Sequence, residues 1–519
     1  MSLRKAWRGP EVGLLIALGA LAGCVLAEFV SILRLNGGHF TYTLDDPYIH
    51  LALAQRIHGG HYGINPGEPS APSSSILWPF LLAPAAGSAL GEYLPLLIGI
   101  TAAAVTTVIF YKSIAELLFG PSSYPNPFLI STFVLLLTLA TNLVGLAFTG
   151  MEHSIQVVLA AAVALGLIRE ANTGRVRSWL LIAIVLGPLI RYESLAISVG
   201  AVVYLFVRGH RRTALLSLIA TLLPLALFSA FLVHLGLGPA PTSVLLKAPI
   251  LAPEQRAGLL SGLRTTLRDP TGVLLALAGV WMLSLALFSM RPAQEKALAT
   301  SVALAIALHA VAGSYGAYHR WEPYIVTFVL LALLYLERAP ISGVLTRWPA
   351  PLITAVAVLW CVVVGSRYVF GLTTIPVAAN NIYEQQYQMH RYVAEFERRA
   401  VAVNDLGYVS FGNGNYVLDV LGLGSPGPPV GEHSLSKWVE GPVARQGIET
   451  AMLYDEWFAD HPRTWRRIGV LHLSRPKITP AWEGVSFYAT SAEAYPRVRR
   501  RVEAFRATLP PRVRFEFAE

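Results

Sequence analysis

The chain has 519 residues, of which 54% are hydrophobic and only 14% charged, whereas soluble globular chains carry about 25% charged residues. With a mean hydropathy of +0.53, an ordinary soluble protein is excluded. Residues 371–519 hold 17 basic and 16 acidic side chains and residues 1–370 hold 23 and 15, so the positive excess sits in the apolar part. That is what orientation in a bilayer needs, and it leaves no basic face for nucleic acid.

Arg4, Lys5 and Arg8 precede an apolar stretch from Val12 to Leu33, too long for the apolar region of a signal peptide, which reads as the first membrane span. Leu21-Ala-Gly-Cys24 matches a lipoprotein processing box, but the apolar run continues past it to Val30, so a lipidated Cys24 is the minor alternative. Cys24 and Cys361 both fall in apolar runs, which excludes a disulfide framework or a cysteine-based zinc site outside the bilayer.

A long loop, 34–92, follows, with Thr43-Leu-Asp-Asp-Pro-Tyr-Ile-His50 in it. Pro47 at a first helical position makes Asp46 an N-cap, and Ile49, Ala52, Leu53 and Ile57 then form the apolar face of a short helix lying in the membrane interface. Asp45 has no such local task. A carboxylate near lipid is costly unless used, so Asp45 is the candidate general base, taking a proton from an attacking hydroxyl. With two imidazoles of His50, His58 and His61 it could also hold a metal ion, although the three histidines read more simply as loop residues.

Further spans are expected near 93–118, 127–148, 154–168, 178–190, 194–207, 213–235, 272–290, 297–313, 323–337 and 350–370, about 11 in all. The short loops with Arg169, Arg175 and Arg177, with Arg208, Arg211 and Arg212, with Arg291 and Lys296, and with Arg338 and Arg347 are cytoplasmic by the positive-inside rule. The N-terminus is then cytoplasmic, and loops 34–92 and 236–271 and everything after Phe370 lie outside.

Four polar spots break the apolar surroundings on that outer side: Thr149-Gly-Met-Glu-His153, Arg191-Tyr-Glu193, Pro241-Thr-Ser-Val-Leu-Leu-Lys247 and His319-Arg-Trp-Glu-Pro323. Helix ends often carry a charged residue whose stem lies along lipid, yet the four share one side. Arg191, Lys247 and Arg320 together suit a lipid phosphate, with Glu152, Glu193, His319 and His50 as accessory groups.

Residues 371–519 read as an outer α/β domain with β-type runs at 400–403, 416–420 and 468–473. Trp438, Trp457, Trp465 and Trp482 offer stacking faces for sugar rings, core packing being the simpler role for most of them. Asn404, Asp405 and Asp419 read as core or turn residues. Gly422-Leu-Gly-Ser-Pro-Gly427 matches a dinucleotide fingerprint only formally, because Pro426, Pro428 and Pro429 oppose the helix that such a site needs.

The Asp45-Asp46 pair, Ile64-Asn-Pro-Gly-Glu68, Ser73-Ser-Ser-Ile-Leu-Trp78, Val403-Asn-Asp-Leu-Gly407 and Leu418-Asp-Val-Leu-Gly422, in order with the four polar spots, resemble bacterial GT-C glycosyltransferases, in particular the arabinofuranosyltransferase branch of mycobacterial cell-wall enzymes. Two departures are Tyr192, where relatives often have proline, and His319, where an Arg-Tyr pair is more usual. The resemblance implies an α-helical polytopic membrane protein of the bacterial plasma membrane, with a GT-C catalytic part over 1–370 and an extracytoplasmic α/β domain over 371–519. It implies inverting transfer of arabinofuranose, or another pentose or hexose, from a polyprenyl-phosphate donor to a cell-envelope glycan, lipid or protein. Asp45 would be the base with Asp46 beside it, and Lys247, Arg191 and Arg320 would face the phosphate. Metal use is left open by the sequence, since two carboxylates could bind Mg²⁺ or Mn²⁺ without any cysteine. A glycan-binding scaffold and a lipid-linked sugar transporter are the rival readings.

The topology is testable in a cysteine-free background with Arg211→Cys and Lys437→Cys. An impermeant maleimide applied to intact cells should modify only position 437, and modification of 211 alone would invert the orientation.

Overall fold

The computed structural model describes residues 10–119, 127–247, 258–347, 349–427, 435–458 and 460–519. The chain divides into two compact units: unit 1 is 1–27, 96–228 and 246–373, and unit 2 is 28–95, 229–245 and 374–519. Unit 2 thus gathers the expected outer domain together with most of the first outer loop.

Each of the eleven apolar stretches is helical where described. The helices are Pro10–Leu35, Leu94–Ile114, Pro127–Ala140 with Leu143–Phe148, His153–Thr173, Ser178–Ile190, Leu195–Val207, Arg211–His234, Pro270–Leu287, Ala293–Ala312, Pro323–Leu336 and Ala350–Glu384. Among the described residues six are long and apolar enough to cross a membrane, or seven if the pair Pro323–Leu336 and Arg338–Leu345, bent by 72°, counts as one span. The count of about 11 expected from the sequence is not reached among the described residues. Pro127–Ala140 and Ser178–Ile190 have only 14 and 13 residues, short of the ~20 that a hydrocarbon core needs. Leu21-Ala-Gly-Cys24 lies within one unbroken helix. Large apolar side chains such as Leu227 and Trp281 are more than half exposed or nearly so, as expected of surfaces solvated by acyl chains. The chain is a multi-pass membrane protein.

Unit 2 contains a six-stranded mixed sheet made of β1 (Val401–Val403), β2 (Val417–Asp419), β3 (Thr450–Leu453), β4 (Arg466–His472), β5 (Gly484–Ala489) and β6 (Arg514–Phe517). The order is β2-β1-β3-β5-β4-β6, with β1 parallel to β2 and β3 and the remaining pairs antiparallel. Side chains alternate across β1 as strand geometry requires. Val401 and Val403 enter one core with Met452, Phe487 and Phe505, and Ala402 enters another with Leu418, Val439 and Trp465.

The helix Asp46–His58 belongs to the first of these cores, to which it contributes Ile49, Ala52 and Leu53. Every residue from Pro47 to Ala54 is buried. A helix lying in the membrane interface with one polar face was expected; the structure instead buries its apolar face in protein, where Leu406 and Val409 of the C-terminal segment share the same core. That packing brings the start of the helix to the carboxyl end of β1, the edge where α/β sheets commonly build sites.

Candidate functional site

The helix begins at Asp46 and Asp45 occupies the cap position, but Asp45 makes no side-chain cap bond. The expected assignment of Asp46 as N-cap is therefore off by one residue: Pro47 is tolerated at the second helical position as well as the first. Asp45 has the local task that the sequence did not suggest. Its Oδ2 accepts from the N–H of Gly407 and its Oδ1 from the N–H of Tyr408, both at 2.7 Å, across more than 360 residues of sequence. Short bonds from two backbone donors to one carboxyl group are of the strong, charge-assisted kind.

Gly407 is required by this approach. A Cβ there would stand 2.2 Å from the Asp45 carbonyl oxygen and 2.3 Å from its Oδ2, so any other residue would push the two segments apart.

Asp405 lies beside Asp45, which is buried, and is itself half-buried. Burial first, then the Asp405 charge, hold the Asp45 carboxyl well above the usual carboxylate range, against the pull of the Tyr408 N–H. Burial also raises Asp405, opposed by hydrogen bonds from Asp45 and from Gln386. Burial disfavours ionisation of both carboxyls, and the like charges around them add to this. Asp405 is steadied by Gln386 Nε2 at 2.9 Å and the Tyr454 hydroxyl at 3.3 Å. Tyr454 is fixed in turn by Asn404, which accepts from its N–H and donates to its carbonyl at 2.9 Å. The negative charge of Asp46 acts on both members of the pair. Asp46, like Asp405, is half-buried.

Among the described residues no three His, Cys, Asp or Glu side chains gather as they would around a metal ion. Both Asp45 oxygens face N–H donors, which a cation would oppose, so these residues do not fit Mg²⁺ or Mn²⁺. His50 is buried and its Nδ1 meets the Ser73 hydroxyl at 3.1 Å, whereas His58 and His61 are exposed. The three histidines do not converge on a metal.

Asp419 is a turn residue whose carboxylate accepts from the N–H groups of Leu421, Leu423 and Gly424 at 2.6 to 2.9 Å. This accounts for the glycine-rich 422–427 string without a nucleotide. Nearby, Glu68, Tyr416, Trp438, Arg445 and Gln446 line a pocket of about 150 Å³, where the Tyr416 hydroxyl donates to Glu68 at 3.2 Å. Of the other tryptophans, Trp465 is core, and Trp457 and Trp482 are exposed.

The remaining candidates belong to unit 1 and are described within it. Arg191 is buried and fully engaged by carboxylates: Nη1 meets Glu152 at 2.8 Å, while Nε and Nη2 reach the two oxygens of Glu193 at 3.1 and 2.6 Å. One guanidinium between two carboxylates has no positive charge left for a phosphate, which counts against the phosphate contact expected of Arg191 and makes Glu152 and Glu193 its partners.

Arg320 follows Ala317, Tyr318 and His319, three consecutive non-glycine residues at φ of +45°, +62° and +56°. Such backbone costs on the order of 1 to 3 kcal/mol per residue and persists only where the surroundings impose it. Here the Tyr318 hydroxyl donates to the Gly371 carbonyl at 2.9 Å, Asn142 Nδ2 donates to the His319 carbonyl at 3.0 Å, and the Gly316 N–H donates to Glu322 at 3.0 Å. The turn buries Arg320, with its guanidinium 5.8 Å from the Trp321 ring, and leaves His319 Nδ1 3.8 Å from Glu322. Lys247 ends the helix Thr242–Lys247, and its side chain lies outside the described residues.

Residues 380–492 match a family model described as Domain of unknown function (DUF8728). No curated protein sequence matches the chain. Among solved structures, the single-particle cryo-EM structure of arabinofuranosyltransferase AftD from Mycobacteria is similar over 91% of this chain, with 14% identity and a TM-score of 0.43. The chain spans 41% of the length of that protein.

The carboxyl pair carries a pH signature. A carboxyl raised by folding stabilises the native state below its unfolded pKa of about 4, and that contribution falls as pH rises toward the raised value. Asp405→Asn removes the like charge while keeping an acceptor for Gln386. Its melting temperature should therefore gain on the wild type as pH rises from 5 to 8, at about 2 to 4 °C per kcal/mol relieved. A constant difference across that range would mean that the Asp405 charge does not raise the Asp45 carboxyl.

Proposed function

We propose that this protein is an integral-membrane glycosyltransferase that transfers a sugar with inversion from a polyprenyl-phosphate donor to a cell-envelope acceptor on the outer face of the membrane. The observation that carries the reading is the three-carboxyl cluster at the end of β1, in which both Asp45 oxygens are taken by backbone N–H groups while Asp46 and Asp405 are half-buried. A hydroxyl nucleophile needs a base held within hydrogen-bond reach. In this reading Asp46 takes the proton as the acceptor oxygen attacks the anomeric carbon, and the bond from that carbon to the phosphate oxygen breaks. The Asp45 carboxyl, expected from the sequence to be the base, has both oxygens committed to Gly407 and Tyr408 and acts as a positioning residue.

The leaving polyprenyl phosphate gains negative charge, and preorganised cations lower that barrier most. Arg320 and Lys247 are the residues proposed for this, with Arg191 holding Glu152 and Glu193 rather than the phosphate. The pocket of Trp438, Tyr416, Glu68 and Arg445 has the mixture of an aromatic face and polar groups that suits one ring of a glycan acceptor. The donor sugar is arabinofuranose or another pentose or hexose. The orientation follows from the arginine-rich loops.

Two asparagine variants separate the roles. Asp46→Asn should lower turnover at saturating donor by about 10² to 10⁴ with an unchanged melting temperature. Asp45→Asn turns an amide N–H toward a backbone N–H and should cost stability of about 1 to 3 kcal/mol as well as turnover. Wild-type turnover in Asp46→Asn would remove it as the base, and loss of turnover in Asp45→Asn at full stability would return that role to Asp45.

A further inference from the structure

The corner between the helices Leu195–Val207 and Arg211–His234 holds a groove of about 450 Å³, lined by Val202, Phe206, Leu215 and Leu218 with Arg211 and Arg212 among them. Phe206 and Leu215 are 54% and 58% exposed, so the groove is apolar and opens outward from unit 1 where acyl chains would solvate it.

The charge at its mouth is set by Glu170. This carboxylate is fully buried and accepts from the Tyr204 hydroxyl, from Arg208 Nε at 3.1 Å and from His210 Nε2 at 2.9 Å. Arg208 therefore neutralises Glu170, and the three bonds fix the 208–210 turn. Arg211 is held differently, with its guanidinium 5.6 Å from the Phe206 ring. Among the described residues no acidic side chain pairs with Arg211 or Arg212. Two adjacent guanidinium groups without a counter-charge thus stand over an apolar trough at the end of a candidate span.

We propose that this groove binds one anionic phospholipid, its phosphate between Arg211 and Arg212 and an acyl chain along Phe206, Leu215 and Leu218. Guanidinium groups match phosphate oxygens in geometry as well as charge. Cations at the end of a span also gain from the negative surface of a leaflet. A zwitterionic lipid would bring a positive headgroup back to the two arginines and fits less well. The site is separate from the carboxyl cluster, and the proposal stands or falls without the transferase reading.

The test uses the full-length protein in neutral detergent, with native mass spectrometry of bound phosphatidylglycerol and phosphatidylcholine carrying the same acyl chains. The wild type should bind phosphatidylglycerol the more tightly, and Arg211→Gln with Arg212→Gln should weaken it roughly tenfold or more while leaving phosphatidylcholine unchanged. Arg175→Gln with Arg177→Gln, on another loop, should change neither. Leu215→Trp keeps both cations and fills the trough, and it should lose phosphatidylglycerol even if the double arginine variant fails to fold. Equal binding of the two lipids by the wild type, retention of phosphatidylglycerol by Leu215→Trp or by a folded double variant, or an equal loss in the Arg175 and Arg177 control would each overturn the proposal.

Discussion

One carboxyl group, that of Asp45, ties the first loop to the C-terminal segment. The N–H groups of Gly407 and Tyr408 have no other acceptor among the contacts that define the turn after β1, and Asp45 supplies both of its oxygens to them. A buried N–H left without an acceptor costs about 1 to 3 kcal/mol, so loss of this side chain would open the turn. The requirement for glycine at 407 follows from it. Tyr408 extends the connection, because its ring stacks on Tyr48 with centroids 3.8 Å apart and its hydroxyl reaches Glu92 at 3.1 Å.

In unit 1 the same physics gives a different arrangement. Buried charges there are matched locally, Arg191 by Glu152 and Glu193, and Glu295 by the half-buried Arg291 and Arg338. A buried ion without a partner is strongly destabilising in a low-dielectric interior, which explains why these arginines come with carboxylates. Cations that lack such matching become informative, and Arg211 and Arg212 are of this kind.

The helices of the apolar part were legible because their composition leaves no other solvent than lipid. The break at 141–142 inside the expected span 127–148 was not, since Thr141 and Asn142 interrupt the apolar run only briefly. In unit 2, β1, β2 and β4 were visible as β-branched runs. Thr450–Leu453 has one β-branched residue and Arg514–Phe517 none, so neither registered as such a run. Asp45 and Asp46 stood out as a pair, and Asp405 did not, because Asn404-Asp405 reads locally as a turn and its partner is 360 positions away. Asp46 as the cap followed from placing Pro47 one position too early. The engagement of Arg191 was half legible, with Glu193 two residues on and Glu152 in another helix.

The central claim is that the carboxyl cluster at the end of β1 serves sugar transfer from a lipid phosphate. Its most direct test is an assay of the purified protein with radiolabelled polyprenyl-phosphate pentose and hexose donors and a cell-envelope glycan acceptor. Transfer of label to acceptor from one donor, with release of polyprenyl phosphate, is the expected result. Transfer from neither donor by folded protein would contradict the account and favour a glycan-binding scaffold or a transporter.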